Sequence, residues 1–138
     1  MSKIEPQMQK YMTTAPYTIE ASKSVYEAEK MMLDYKIRHL PVMKDGQLFG
    51  ILSDRDIKVA MGFFDSDSKL IKVGDICKEK PFVVEPDAKM HEVLDEMASQ
   101  HYGSAVVVQN HKLVGIFTTV DACRAFSQVL QQRFHEGH

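Results

Sequence analysis

Two short segments each place a hydroxyl side chain three residues before an aspartate, directly after an apolar run. The polar pairs are Ser53/Asp56 and Thr118/Asp121. A serine or threonine followed three residues later by an acidic residue is typical of a helix start, where both side chains cap backbone N–H groups. The unpaired N–H groups and the helix dipole favour an anion there, and phosphate is the commonest biological anion. The two segments are therefore candidate phosphate-binding sites.

The residues around the first pair predict the elements that position it. Residues 48–52 are apolar and predict a strand, and Lys44-Asp45-Gly46 predicts the turn that joins it to a strand over residues 39–43. Apolar residues recur with a helical period over residues 25–35, so a helix is predicted there. Two further elements are predicted: a brief strand over Tyr17–Ile19 and a helix from residue 54 to about residue 61.

The same order of elements begins again after residues 62–68, which we interpret as a connector and the natural boundary between two halves. Pro81 lies 65 residues after Pro16, and the same offset relates Asp121 to Asp56 without a gap. The identical pairs at this offset are Pro16/Pro81, Glu20/Glu85, Glu27/Glu92, Met32/Met97, Val42/Val107, Leu48/Leu113, Gly50/Gly115, Ile51/Ile116 and Asp56/Asp121. This pattern indicates a duplicated unit.

The duplication predicts the fold class and the division of the chain. We expect an α+β fold of two β-α-β-β-α repeats. Each half is too small to bury both faces of its sheet, so the repeats should pack about a pseudo-twofold axis with clefts between them. Residues 1–65 would hold an N-terminal arm and the first repeat. Residues 66–138 would hold the second repeat and an extended C-terminal helix.

Composition and charge argue against several classes of function. The chain has 138 residues, a net charge of −2 and no basic cluster, which argues against binding to nucleic acid or a membrane surface. Its apolar runs are too short to span a bilayer, and its N-terminus lacks the apolar core of a signal peptide. The histidines lack metal-ligand spacing, the two cysteines make no disulfide framework, and no nucleophile–base pair is recognisable. We predict a cytoplasmic, non-catalytic protein without a metal.

The two motif segments and the apolar stretches before them resemble a known family. Gly50–Asp56 and Gly115–Asp121, with Ile37–Val42 and Tyr102–Val107, are similar to the matching parts of a tandem pair of cystathionine-β-synthase (CBS) domains, also called a Bateman module. The resemblance extends from about residue 8 to about residue 125. It implies a regulatory module that binds an adenosine-containing ligand (AMP, ADP, ATP, NAD or S-adenosylmethionine) in the clefts and signals to an effector protein that the sequence does not identify.

The resemblance also implies roles for individual residues. Asp56 and Asp121 would hold the ribose hydroxyls, because a carboxylate can accept two hydroxyl hydrogens. Ser53 and Thr118 would reach ribose or phosphate. Phosphate would be bound by Arg38, His39 and Arg55. The adenine would be enclosed by backbone and apolar groups: Tyr17, Thr18, Ile19, Leu40 and Pro41 in the first site, and Phe82, Val83, Val84, Ala105 and Val106 in the second.

The two repeats differ in the charge near their motifs. Where the first has Arg38, His39 and Arg55, the second has Gly103, Ser104 and Val120. We therefore predict unequal sites, of which the better one binds a charged nucleotide. If its pKa is near the ordinary value, His39 would make the affinity for an anion rise as the pH falls toward about 6.

Simpler interpretations of the same residues stay open. Each Ser/Thr-x-x-Asp pair could be a capping box and nothing more, and Arg38 and His39 could be surface residues without a role. Gly50 and Gly115 are interpreted as sites of close backbone approach in a strand. The alternative function is then a structural scaffold for dimerisation or interaction that binds no nucleotide.

The last helix predicts a partner of its own kind. Apolar residues at positions 122, 123, 126, 129, 130 and 134 form one stripe within residues 120–134, and such a stripe needs a cover. The resemblance implies the same conclusion, because CBS pairs commonly associate as two-fold dimers through their helices. We predict a homodimer, either parallel or antiparallel.

Overall fold

The computed structural model describes residues 5–63 and 67–135, which form a mixed α+β protein. The strands are β1 (Thr13–Thr14), β2 (Ile19–Glu20), β3 (His39–Lys44), β4 (Gln47–Ser53), β5 (Val83–Val84), β6 (Ser104–Gln109) and β7 (Lys112–Thr118). The helices are α1 (Met8–Tyr11), α2 (Val25–Tyr35), α3 (Asp54–Phe63), α4 (Val73–Ile76), α5 (Met90–Gln100) and α6 (Thr119–His135), with a 3₁₀ turn over Ser68–Leu70. The predicted α+β fold with a repeated strand–helix–strand–strand–helix order is confirmed.

Helix α2 shows how the local sequence determines an element. It covers the residues that the apolar period predicts, and its buried residues recur every three or four positions. Ser24 precedes it, and the Ser24 hydroxyl oxygen accepts a hydrogen bond from the Glu27 N–H at 3.1 Å. This cap satisfies one of the N–H groups that a helix start leaves unpaired. At the other end, Lys36 takes the left-handed conformation, with φ 56°.

The first strand differs from its prediction. The predicted strand covers Tyr17–Ile19, whereas β2 is Ile19–Glu20 and pairs in parallel with Val42 and Met43 of β3. The prediction is wrong for the two residues before Ile19 because they precede the paired segment.

The predicted connector over residues 62–68 lies only partly within the described residues. Helix α3 extends to Phe63 and the 3₁₀ turn begins at Ser68, whereas residues 64–66 lie outside the described part. The long last helix is confirmed as α6, and residues 136–138 of the predicted second half also lie outside it.

The first compact unit, called here the first-repeat unit, comprises residues 16–81 with residues 111–113. Its sheet has the strand order β2-β3-β4, with β2 parallel and β4 antiparallel to β3. The turn between β3 and β4 is Asp45-Gly46, with φ 53° and 77°, as expected of a tight hairpin. The core side chains come from the sheet, α2, α3 and α4: Ile19, Val25, Ala28, Met32, Leu40, Val42, Leu52, Ile57 and Val73.

The second compact unit, called here the second-repeat unit, comprises the described parts of residues 1–15, 82–110 and 114–138. Its sheet has the order β1-β7-β6-β5, with β1 antiparallel to β7 and β5 parallel to β6. Its core includes Met8 from the N-terminal arm: Met8, Val84, Met90, Val93, Met97, Ala105, Val107 and Phe117.

The two short helices α1 and α4 occupy matching places in the two cores. Met8 and Val73 lie 65 residues apart, and each is fully buried. Their N–H groups donate to the carbonyl oxygens of Ala88 and Lys23, both at 2.8 Å. The packing units therefore differ from the contiguous ranges 1–65 and 66–138, because the N-terminal arm completes the second core and α4 completes the first. The sequence boundary between the repeats stays a prediction.

Candidate functional site

The first motif lies where β4 ends and α3 begins. The Asp56 N–H donates to the Ser53 hydroxyl oxygen at 3.0 Å, and the Ser53 N–H donates to Asp56 Oδ2 at 3.2 Å. The two residues thus form the reciprocal capping box that the sequence predicts. Asp56 is half-buried, and within the described chain its carboxylate accepts hydrogen bonds from Ser53 alone. The carboxylate is held in place while Oδ1 keeps its acceptor capacity.

Strand β3 and the residue before it bring His39 and the Arg38 backbone to the first motif. His39 is paired with Ser53 across the antiparallel strands, and the Asp54 N–H donates to the Arg38 carbonyl oxygen at 2.9 Å. Burial lowers the pKa of His39 below 6.5, the nearby Arg38 charge lowers it further, and Asp56 and Asp54 partly oppose the shift. The sequence-based expectation of an ordinary pKa for His39 is therefore wrong, because a half-buried imidazole loses hydration that favours its charged form.

The second motif has the same capping box but a more crowded carboxylate. The Thr118 N–H donates to Asp121 Oδ2 at 2.9 Å, and the Asp121 N–H donates to Thr118 Oγ1 at 3.3 Å. The Thr13 hydroxyl of the N-terminal arm lies 3.2 and 3.4 Å from the two carboxylate oxygens. Arg124 Nη1 donates to Asp121 Oδ1 at 3.1 Å. Asp121 is only 5% exposed, so its acceptor capacity is largely used within the second-repeat unit.

Sequence reasoning missed Thr13 and Arg124. Arg124 follows Asp121 by three residues, a spacing at which helical side chains meet, so this contact had a local signal. Thr13 lies 108 residues before Asp121, and nothing in the local sequence links the two. The contact forms because β1 pairs with β7, which places Thr13 opposite Ile116.

Most of the predicted apolar wall residues bury their side chains. Ile19, Leu40, Val84 and Ala105 belong to the two cores, and Pro41 and Val106 are also fully or almost fully buried. By contrast, Thr18, Arg38 and Arg55 are exposed, as is Val83.

The two predicted aromatic wall residues each stack on a second ring. Tyr17 stacks on Tyr35 with ring centroids 3.9 Å apart and planes 6° apart. Phe82 stacks on Tyr102 with centroids 5.0 Å apart. The first pair is about half exposed, so it offers an accessible aromatic edge within the first-repeat unit.

A cavity of about 420 Å³ lies in the first-repeat unit but away from the motif. It is lined by the β3–β4 hairpin end and by α4, through Lys44, Asp45, Phe49, Lys72 and Asp75 among others. Ser53 and His39 lie at the opposite ends of the same two strands, so the cavity contains none of the predicted site residues. Over residues 5–63 and 67–135, no cluster of three or more His, Cys, Asp or Glu side chains could hold a metal ion.

None of the helices that the structure describes is both long enough and apolar enough to cross a bilayer.

Comparison with known proteins gives consistent matches. The model of the CBS domain family matches the chain twice, over residues 8–62 and 73–128. The uncharacterized protein YlbB of Bacillus subtilis is 41% identical over 100 residues, which are 71% of this chain and 67% of YlbB. The crystal structure of a putative acetoin utilization protein, AcuB, from Vibrio cholerae has a TM-score of 0.86 at 24% identity and covers 98% of this chain and 100% of AcuB.

A further solved structure contains a nucleotide. The crystal structure of CBSX2 in complex with AMP has a TM-score of 0.76 at 26% sequence identity, and the match covers 89% of this chain and 97% of CBSX2.

Proposed function

This chain belongs to the CBS domain family, and from that premise we propose that it is a non-catalytic regulatory module that binds an adenine nucleotide. The observation that carries the proposal is the geometry of the first motif. Asp56 is fixed by the Ser53 capping box, and Oδ1 receives no hydrogen bond from the described residues. A ribose hydroxyl is a suitable donor to such an oxygen, because hydrogen bonds to a charged acceptor are the stronger ones.

The charges around the first motif support a phosphate beside the ribose. The start of α3 provides N–H groups and a positive dipole end. Arg55 is the second residue of this helix. His39 is paired with Ser53, and the Arg38 carbonyl oxygen accepts a hydrogen bond from the Asp54 N–H. Ser53 would contact ribose or phosphate through its hydroxyl. The position of the ligand between the repeats, and the roles of Tyr17, Thr18 and the other wall residues, stay predictions.

The binding of AMP to CBSX2 supports AMP as the first ligand to test. ADP, ATP, NAD and S-adenosylmethionine share the adenosine group and are the alternatives. The proposed mechanism is differential binding: a ligand that binds one arrangement of the protein better shifts the population toward it. An effector protein would respond to that shift.

Thermal unfolding with and without ligand tests this function. A site filled at about a hundred times its dissociation constant should raise the free energy of unfolding by about 2.7 kcal/mol, so the midpoint should increase in the presence of AMP or a related ligand. Asp56→Asn should remove this increase because the amide nitrogen replaces one acceptor oxygen.

Asp54→Asn is the matched control, since Asp54 is the first residue of the same helix and its carboxylate pairs with Lys58 at 3.1 Å. It should retain the ligand-induced increase. If none of the five ligands raises the midpoint, or if both variants lose the response equally, the proposed function is wrong.

A structural scaffold is the second candidate function. It is favoured by the two capping boxes, which already give both aspartates a structural role, and by the exposed apolar side chains of α6. A protein that self-associates but responds to no adenosine ligand would support it. We also propose a homodimer through α6 and a cytoplasmic location, on the apolar stripe and the unremarkable charge of the chain.

A further inference from the structure

The two motif aspartates differ in how much acceptor capacity they have left. Asp121 receives hydrogen bonds from the Thr118 N–H and hydroxyl, the Thr13 hydroxyl and the Arg124 guanidinium. Asp56 receives one from the Ser53 N–H and is less buried. A carboxylate has about four lone-pair sites, so the four donors leave Asp121 little capacity for a ligand.

The positions of the two additional donors at Asp121 hold other residue types in the first repeat. At an offset of 65 residues, Val59 stands where the second repeat has Arg124, and valine cannot donate a hydrogen bond. Lys78 stands where the arm has Thr13. Thr13 and Arg124 thus add donors from outside the capping box, and the Thr118 hydroxyl adds one from within it.

The Thr13 hydroxyl contacts both carboxylate oxygens of Asp121, the atoms that a sugar hydroxyl would need. It is 3.2 Å from Oδ1 and 3.4 Å from Oδ2, so one hydroxyl spans both oxygens. Strand β1 keeps it there, because Thr13 and Thr14 pair with Ile116 and Gly115 of β7. The arm also contributes Met8 to the core of the same unit, so its displacement would expose a fully buried side chain.

We propose that Thr13 and Arg124 close the second motif to ribose, so that the chain binds one nucleotide, through Asp56. The two residues determine which repeat accepts the ligand. This inference rests on the proposed function, since it assigns the nucleotide to one of the two motifs. It also gives the N-terminal arm a role in specificity.

Calorimetric titration of the full chain with AMP tests the inference. The wild type should bind about one AMP per chain, and Thr13→Val with Arg124→Ala should bind about two, because Asp121 regains its acceptor capacity. Asp56→Asn should reduce each of these values by about one. Thr14→Val with Arg133→Ala is the matched control, placed on the same strand and helix, and it should behave as the wild type does.

Two results would overturn the inference: two AMP molecules per wild-type chain, or the same stoichiometry in the Thr13/Arg124 variant and its control. If no variant binds AMP, adenosine or S-adenosylmethionine, the proposed function fails instead. In that case hydrogen exchange still tests the contact between Thr13 and Asp121. Thr13→Val should speed amide exchange in residues 13–15 relative to Thr14→Val, and equal rates would contradict the role of Thr13.

Discussion

At the scale of single residues, Gly50 lies so close to a neighbouring backbone segment that there is no room for a side chain. A Cβ atom on Gly50 would lie 2.5 Å from the Lys78 carbonyl oxygen and 3.0 Å from Cys77 Sγ. The carbonyl is fixed, because Lys78 and Ile51 exchange two backbone hydrogen bonds of 2.9 Å. At Gly115 the closest atom would be Met12 Sδ at 2.6 Å, which belongs to a flexible side chain. The interpretation of both glycines as sites of close approach is confirmed.

We expect Gly50→Ala to lower the free energy of unfolding by about 1–3 kcal/mol, because strand β4 or residues 77–78 must move. Gly115→Ala should cost less, since the closest atom belongs to the flexible Met12 side chain and the nearest backbone atom, the Thr13 carbonyl oxygen, lies farther away at 3.0 Å. Gly62→Ala is the control: nothing lies within 4 Å of its Cβ position, and alanine should stabilise α3 by about 0.5–1 kcal/mol. Urea denaturation measures all three, and equal effects at positions 50 and 62 would contradict the argument.

The lowered pKa of His39 gives a pH dependence with a definite sign. Well above pH 6.5 the imidazole is neutral in both folded and unfolded protein, and as the pH falls toward 6.5 the unfolded chain takes up the proton first. The contribution of His39 to stability is therefore lost as the pH falls through the lowered folded pKa. A phosphate bound nearby would favour the protonated form, so nucleotide binding should take up a proton in this range.

We predict that AMP affinity rises below about pH 6.5 relative to a His39→Gln variant and that the two proteins agree at about pH 8. The phosphate of AMP also ionises in this pH range. Its effect on affinity is the same for both proteins and cancels in the ratio of their dissociation constants. Calorimetry at about pH 5.5, 6.5 and 8 measures the ratio of dissociation constants. A ratio that does not change with pH would show that His39 lies away from the phosphate.

At the scale of elements, the two equivalent helices α2 and α5 obtain their N-caps differently. Ser24 caps α2 with its own hydroxyl. Lys89 stands at the same place before α5 and makes no side-chain cap, and the N–H of His91 instead donates to Glu5 Oε1 at 3.0 Å. The arm thus provides for the second repeat what a serine provides for the first.

Ser24→Ala should lower the free energy of unfolding by about 1 kcal/mol, the usual effect of removing an N-cap acceptor. Lys89→Ser should raise it by about 0.5–1 kcal/mol, because the new hydroxyl can accept from the Glu92 N–H. Ser22→Ala serves as the control, because the cap of α2 is formed by the Ser24 hydroxyl and does not involve Ser22. Thermal and chemical denaturation measure these effects, and a neutral Ser24→Ala would contradict the assigned cap.

Elements with a strong local signal are the ones that the sequence predicts well. The helical period defines α2 to the residue, and Asp45-Gly46 predicts its hairpin because both residues favour positive φ. The matching turn is Asn110-His111, with φ 52° and 65°, and it lacks the glycine that makes the signal of the first turn strong. Both capping boxes were predictable for the same local reason.

The parts of the site that depend on distant residues could not be predicted. The contact of Thr13 with Asp121 arises from the pairing of β1 with β7, and local sequence carries no information on that pairing. The packing of Met8 into the second core is of the same kind. The lowered pKa of His39 depends on burial that its neighbours in the sequence do not reveal.

At the scale of the whole molecule, a charged pair links the N-terminal arm to the second repeat. His91 Nδ1 and Glu5 Oε1 are in contact, and this raises the pKa of His91 above 6.5 and lowers the pKa of Glu5 below 4.5. The contribution of a raised histidine pKa is present below 6.5 and lost as the pH rises through the folded pKa. That of Glu5 is present above 4.5 and lost as the pH falls.

The pair should therefore stabilise the arm mainly between about pH 4.5 and 6.5. Glu5→Gln should lower the thermal midpoint and speed exchange of the α1 amides in this window, and the difference from the wild type should shrink above it. Glu29→Gln, at an exposed position of α2, is the control for the lost charge. A difference that is the same at about pH 5.5 and 8.5 would contradict the role of the pair.

Helix α6 makes the prediction that concerns the whole assembly. Phe126 and Phe134 are 63% and 61% exposed, and Val129 and Leu130 lie between them on the same stripe. Light scattering should give a mass near twice 15.7 kDa, because a stable dimer buries such a surface. Phe126→Lys with Phe134→Lys should reduce the mass to that of one chain without unfolding it, since neither ring is in a core.

The matched control for the dimer is Gln128→Lys with Gln132→Lys, which adds the same charge to the other side of α6. At about 100° per residue, positions 128 and 132 face away from the stripe, so this variant should keep the mass of the wild type. A wild-type mass near 15.7 kDa would exclude the dimer under those conditions. Equal masses for the stripe variant and its control would show that the chains associate through a surface other than the stripe of α6.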